Sequence, residues 1–193
     1  AWFSAAPGDS ATPLDRPDRS ARENFVVFHV GAGSATRRWP MDRWLELAGL
    51  LESGVPGIRV EWLAGEAEAE AAEATGSVGV ASTAGWRGRE AALFGGAGGR
   101  YLFELEELAD RLRRARLHVG ADTGPSHLAA QLGTPTLALF GPSDPTRWAP
   151  VGPCVEVVAP LTPRAMSWLD AGSVARAALR LLGARGRAAA DAG

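Results

Sequence analysis

The sequence contains no lysine; all 20 basic residues in its 193 positions are arginine. Asparagine occurs once, at Asn24, and isoleucine once, at Ile58. These shortages are matched by 37 alanines, 24 glycines and 13 prolines. The skew is that of GC-rich codon usage, so Ala and Arg counts say little about the fold. Cys154 is the only cysteine. A lone thiol excludes an internal disulfide framework and a multi-cysteine zinc site, and it fits a reducing compartment. Its context, PCVEVV, reads as a strand start with a small core residue. A basic surplus is also missing. The formal net charge of −2 argues against a general nucleic-acid or anionic-membrane binder, which needs positive charge. No apolar stretch approaches the roughly 18 residues of a membrane span, and no basic start followed by an apolar run marks a signal peptide. The first residue is Ala1 rather than Met, so a trimmed piece of a longer protein is the expectation. A hydrophobic content of 46% is normal for a single globular domain of this length with a sizeable core.

Residues 1–23 are rich in Pro, Asp, Ser and Arg without apolar periodicity, and are expected to be a linker or tail. The domain proper is expected over 24–183. Residues 25–30 (FVVFHV) form a short continuous apolar run, the pattern of a buried parallel strand. Gly31-Ala32-Gly33-Ser34 ends it, and Pro40 sits where proline is welcome in a first helical turn. Trp44, Leu45, Ala48 and Leu51 then predict an amphipathic helix over 41–53. Strands are expected at 58–64 and 77–82, a helix at 66–75, and a glycine-rich loop at 84–100. The GxG pattern in that loop lacks the strand–turn–helix context of a dinucleotide fingerprint. A helix over 104–116 carries Leu105, Leu108, Ala109 and Leu112 as its apolar stripe, with glutamates in its first turns and arginines in its last. That order matches the helix dipole. A short strand at 117–119, a helix from about Pro125 to before Gly133, strands at 135–140 and 154–159, a helix over 170–183 and a flexible tail at 184–193 complete the reading. Alternating strands and helices predict an α/β fold, a parallel sheet covered on both faces. Ligands in such sheets bind beyond the carboxyl ends of the strands.

Two loops at those ends carry chemistry. The first, GAGSATRRW at 31–39, combines glycines that allow close backbone approach, the permanent charges of Arg37 and Arg38, and the free N–H groups of the following helix. It is a candidate phosphate site; the plain alternative is an ordinary strand-to-helix turn with exposed arginines. Thr36 stands where a Rossmann fingerprint has its third glycine. The second, GADTGPS at 120–126, runs into His127. Unpaired amides near Gly124, Ser126 and His127 can cradle an anion. Asp122 repels phosphate but accepts hydrogen bonds from sugar hydroxyls, Thr123 donates to either, and His127 can donate to a phosphate oxygen. The set suits a sugar linked to a phosphate; the plain alternative is that Asp122 and Thr123 merely cap the helix.

Other constellations are weaker. Asp122, Ser126 and His127 do not make a hydrolase triad, because adjacent Ser and His side chains diverge on a helix and no nucleophile elbow surrounds Ser126. His29, His118 and His127 lack metal-ligand spacing. His29 and His118, beside apolar strands, read as satisfied core histidines. Trp44 and Trp62 fit core faces, whereas Trp39, between Arg38 and Pro40, reads as bordering a site.

The stretch GADTGPSHLAAQLGTPTLALFGPSDP at 120–145 resembles the signature of glycosyltransferase family 9, the bacterial lipopolysaccharide heptosyltransferase family, and FHVGAGSATRRWPMDRWLELAGLL at 28–51 resembles its other donor-site segment. The resemblance spans roughly 25–182. It implies the C-terminal, donor-binding half of a GT-B fold, with Rossmann-like architecture. By motif position, Gly33, Ser34, Arg37, Thr123, Gly124 and His127 are expected at the donor diphosphate and Asp122 and Thr123 at the donor sugar. Gly65, Glu66 and Leu105 are expected at the nucleoside. No catalytic residue is expected in this chain: the family's carboxylate base and acceptor site belong to an N-terminal domain absent here. The resemblance further implies inverting transfer from a nucleotide sugar, ADP-heptose, to a lipid A–core acceptor. It implies no cofactor and no metal, no nucleic-acid partner, and a cytoplasmic place with at most peripheral contact at the inner face of the inner membrane. Two other readings stay open: a non-catalytic nucleotide-binding module, and a related transferase using a different nucleotide sugar. The chain departs from the family in having Arg37 where lysine is usual and Ala121-Asp122-Thr123 where Asn-Asp-Ser is frequent. Arginine keeps the charge but is a planar fork, not a point charge.

Overall fold

A computed structural model describes residues 2–5, 22–63 and 105–183. The helix expected at 66–75, the strand at 77–82, the loop at 84–100, the tail at 184–193, and both Gly65 and Glu66 lie outside the described residues.

The expected strand 25–30 is β2 (Glu23–His29). Its run FVVFH is buried throughout because the strand has neighbours on both edges and helices on both faces. Pro40 caps α1 (Met41–Gly54), which buries Trp44, Leu47 and Leu51 on one stripe. β3 (Arg59–Leu63), α2 (Leu105–Arg114), β4 (Ala115–Ala121), α3 (Gly124–Gln131) and β5 (Thr136–Leu139) follow. Then come α4 (Pro145–Trp148), β6 (Val155–Pro160) and α5 (Ala171–Leu182). The sheet order is β1-β6-β5-β4-β2-β3, where β1 is Trp2–Ala5. Strands β2 to β6 are parallel, and β1 pairs antiparallel with β6, Trp2 opposite Pro160 and Ala5 opposite Val157.

The expected linker at 1–23 is therefore corrected at both ends. Trp2–Ala5 forms an edge strand, too short for any periodicity to betray it. The Arg22 guanidinium donates to the carbonyls of Arg113 (3.0 Å), Ala115 (2.9 Å) and Gly133 (2.9 Å). It thereby ties the end of α2, the start of β4 and the turn after α3 together.

Alternate residues of β2 feed opposite layers. Val26 and Phe28 join Trp44, Leu47, Leu51, Leu117, Val119 and the α5 residues Val174, Ala178 and Leu181 in the larger core. Phe25 and Val27 join Leu63, Leu112 and Ala129 in a second. Helices thus cover both faces, as the sequence predicts. The α2 stripe is shorter than expected: Leu112 is fully buried, but Leu105 is 69% exposed. Helix α5 begins at an Asp170 cap and ends on Gly183, whose φ of 71° is the left-handed conformation glycine adopts without strain.

Counted along the parallel strands from β2, the order runs second, first, third, fourth, fifth. The chain leaves β2 toward β3 on one side and returns to β4 on the other. The gap between β2 and β4 is therefore the topological switch point, the crevice where doubly wound sheets bind ligands.

Candidate functional site

Both candidate loops open at this switch point. The first leaves the end of β2 at His29; the second leaves β4 at Ala121. Parallel pairing sets His29 opposite Gly120, and Nδ1 of His29 lies 3.0 Å from Oγ1 of Thr123. A side-chain hydrogen bond therefore joins the two loops at their roots.

In the first loop, Gly31 and Ala32 are buried while Gly33, Arg37 and Arg38 are exposed. A Cβ on Gly33 would meet nothing within 4 Å, so the backbone there is open to a ligand. Ser34 Oγ sits 3.2 Å from Thr36 Oγ1, and Ala35–Arg37 form a single 3-10 turn. Arg38 is not a second free cation, since its Nε donates to Ala32 O at 3.3 Å. At the start of α1, Arg43 N and Trp44 N donate to Pro40 O, which leaves the N–H groups of Met41 and Asp42 without intrahelical acceptors.

Trp39 does not border the site. It is 3% exposed, packs edge-on against Trp44 with ring centroids 4.8 Å apart, and donates its indole N–H to Leu169 O at 2.9 Å. The indole is a core side chain that anchors the loop.

In the second loop, Thr123 occupies the cap position of α3, but its side chain does not cap the helix. Its hydroxyl faces His29 and, at 3.4 Å, Ala121 O. The plain capping role is thus not the one its side chain adopts. The expected cradle of three amides is also narrower. The N–H groups of Ser126 and His127 both donate to Thr123 O, which leaves the Gly124 N–H as the first-turn donor. Gly124 is exposed, and a Cβ there would meet nothing within 4 Å.

Ser126 and His127 diverge as expected. Ser126 is fully buried; its Oγ donates to Ala121 O at 2.7 Å and lies 3.1 Å from His118 Nε2. His127 turns outward, its Nε2 3.5 Å from Asp122 Oδ1, with side-chain exposures of 39% and 13%. Asp122, Thr123, Gly124 and His127 therefore share one rim, across the switch point from Gly33, Ser34 and Arg37. Leu105 is exposed at the start of α2.

Of the two histidines read as satisfied core residues, His29 is buried and hydrogen-bonded as expected, whereas His118 departs from that reading. His118 is buried, and its Nδ1 has no hydrogen-bond partner among the described residues. Burial first, and the neighbouring His29 second, lower its pKa from 6.5 to about 3. His29 is 6% exposed but belongs to the site through Thr123. Its partner lies 94 positions away, so only parallel pairing of 25–30 with 117–119 could have exposed the contact.

Comparison with known proteins identifies the family. Residues 4–167 match Glycosyltransferase family 9 (heptosyltransferase). Lipopolysaccharide heptosyltransferase 1 of Pseudomonas aeruginosa is 36% identical over 121 residues, 63% of this chain and 30% of that protein. The Escherichia coli K12 protein of the same name is 31% identical over 124 residues, 63% of this chain and 33% of its own length. The chain thus spans about a third of the curated relatives it matches. Among solved structures, E. coli heptosyltransferase WaaC with ADP superposes with a TM-score of 0.61 at 27% identity, over 84% of this chain and 45% of that one. The E. coli ADP-heptose lps heptosyltransferase II shares the fold, with a TM-score of 0.62 at 23% identity over 84% and 47%. With a match over most of its length, the chain belongs to glycosyltransferase family 9.

Proposed function

We propose that this domain binds the nucleotide-sugar donor of an inverting glycosyltransferase, with ADP-heptose as donor and a lipid A–core saccharide as acceptor. The observation that carries the reading is the His29–Thr123 bond, which brings both ligand-type loops to one switch point. The WaaC structures with ADP and with ADP-2-deoxy-2-fluoro heptose support the choice of donor.

In this reading the diphosphate lies over Gly33 and Ser34, where the backbone is uncovered. Arg37 offers a fork of donors to two phosphate oxygens, with the N–H groups of Met41, Asp42 and Gly124 beneath. Asp122 accepts from the sugar hydroxyls, and His127, held toward Asp122, donates to the sugar-side phosphate. When the acceptor hydroxyl attacks the anomeric carbon in line, the bond to the diphosphate breaks and its electron pair leaves with the phosphate oxygen. Arg37, His127 and the fixed amides stabilise that growing charge with no metal in the scheme. The acceptor's proton goes to a base outside this chain, in the acceptor-binding half of the enzyme. The place of work is the cytoplasm, at the inner face of the inner membrane; no helix among the described residues is long and apolar enough to cross a membrane.

Calorimetric titration of the full-length protein with ADP-, UDP- and GDP-sugars tests the proposal. ADP-heptose should bind best, with affinity unchanged by EDTA. Arg37→Ala should weaken binding by about tenfold or more, the worth of a charge-assisted pair, and Asp122→Ala should lower turnover. Equal affinity for UDP and ADP sugars would count against heptose transfer. Unchanged binding and turnover in both variants would sink the site assignment.

A further inference from the structure

Thr123 stands where a helix cap usually uses its side-chain oxygen to accept from the N–H two or three residues on. Here that role is vacant. The Ser126 N–H goes to the Thr123 carbonyl, and the Thr123 hydroxyl turns 3.0 Å to His29 Nδ1. Its other neighbour, Ala121 O, is distant at 3.4 Å and already accepts from Ser126 Oγ at 2.7 Å. His29 is buried at the last position of β2, opposite Gly120. Gly120 could not be larger, because a Cβ would come within 2.7 Å of Ser126 Oγ and 2.8 Å of His118 Nε2. The imidazole is thus held by a strand, and its Nδ1 meets one specific hydroxyl on the rim of the site.

The polarity of that contact matters. A hydroxyl has one proton and two lone pairs. If Nδ1 were bare, it would capture the Thr123 proton and leave only lone pairs facing an approaching anion. If Nδ1 carries the proton, Thr123 accepts from it, and its own O–H, otherwise held only by the long 3.4 Å contact to Ala121 O, can swing to donate to a phosphate oxygen.

We infer that His29 is a positioning residue for the donor site: its Nδ1–H holds the Thr123 hydroxyl with the proton turned toward the diphosphate of a nucleoside diphosphate. The inference rests on the donor-site reading above and adds a residue to it that touches no ligand.

ADP titration of the full chain, with the His29 ring nitrogens followed by 15N NMR, tests it. In the unaltered protein Nδ1 should show the protonated signature; a bare, pyridine-like Nδ1 with ADP bound overturns the inference without any mutation. His29→Leu should weaken ADP binding about tenfold, the loss of one oriented donor to a charged group. His29→Asn, whose amide places an N–H near the Nδ1 position, should bind within about threefold of the unaltered protein. The double variant His29→Leu/Thr123→Val should be no weaker than Thr123→Val alone, since His29 acts through that hydroxyl. Additive losses, or no loss in His29→Leu, overturn the inference while leaving the donor site standing. Failure of the unaltered protein to bind ADP overturns the donor-site reading itself, and this inference with it.

Discussion

The hydroxyl of Ser126 lies 3.1 Å from Nε2 of His118, both side chains fully buried between β4 and α3. Because Ser126 Oγ spends its proton on Ala121 O, His118 must donate from Nε2 and leave Nδ1 as a bare acceptor. Among the described residues that Nδ1 has no partner. Beneath the candidate site sits a histidine that burial first, and the neighbouring His29 second, keep neutral.

A pH dependence of stability follows. Burial first, and His29 second, hold the His118 pKa near 3, below its ordinary 6.5. Between those values the unfolded chain takes up a proton and the folded chain does not. The contribution is complete above about pH 6.5 and is lost as pH falls toward 3, at up to about 1.4 kcal/mol per pH unit. Urea unfolding at pH 7 and pH 5 should show this loss, and His118→Gln should flatten the difference. Equal pH slopes in the two proteins would show that His118 is not the group responsible.

Trp39 supplies a second prediction, because it is placed in the core although it follows two arginines of a ligand-type loop. Trp39→Phe removes the indole donor and strands Leu169 O, at a cost of about 1–3 kcal/mol. ADP affinity should change by less than about threefold. A tryptophan stacking on the nucleoside would give the opposite pattern, with stability nearly intact and affinity much reduced.

Asp170 caps α5 with both carboxylate oxygens, Oδ1 accepting from Ser173 N and Oδ2 from Ser173 Oγ, each at 2.8 Å. Partial burial pushes its pKa up, but the Ser173 bonds and Arg176 outweigh it and the net direction is down. Its stabilisation is therefore present above the ordinary carboxylate value and lost as pH falls below it. Asp170→Ala should cost about 1 kcal/mol at neutral pH, measured as a lowered Tm, and the deficit should shrink in acid.

What the sequence discloses and what it hides divide along physical lines. β2, α1, β5, β6 and α5 are legible because burial on two faces or on one stripe writes itself into consecutive residues. Trp2–Ala5 and Pro145–Trp148 are four residues each, shorter than either period needs. Both loops and the rim residues Asp122, Gly124 and His127 are legible because strand–glycine–helix junctions are local. The rest depends on partners remote in sequence. Trp39 finds its acceptor 130 positions away and His29 its hydroxyl 94 away. Likewise, the count of free amides at α3 depends on which carbonyl the cap residue presents, a backbone detail that composition does not carry.

The glycines on either side of Asp122-Thr123 separate folding from binding. Gly120 is walled in, since an added Cβ would lie 2.7 Å from Ser126 Oγ and 2.8 Å from His118 Nε2. Neither atom can retreat easily, being hydrogen-bonded and fully buried. Gly124 has nothing within 4 Å of the same added atom and sits in a helical conformation that alanine prefers. Gly120→Ala should therefore destabilise the domain by about 1–3 kcal/mol, the range for overpacking a core. Gly124→Ala should leave stability equal or slightly higher. Binding should reverse the order for Gly124: in the proposed donor site, a methyl group at the first turn of α3 would occupy the open space through which the diphosphate would reach the amide. ADP affinity should fall severalfold in a protein that melts no lower. Denaturant unfolding and ADP titration on the same two variants check both halves. A Gly124→Ala protein that binds ADP as well as the unaltered chain would show that the diphosphate does not approach α3 at all.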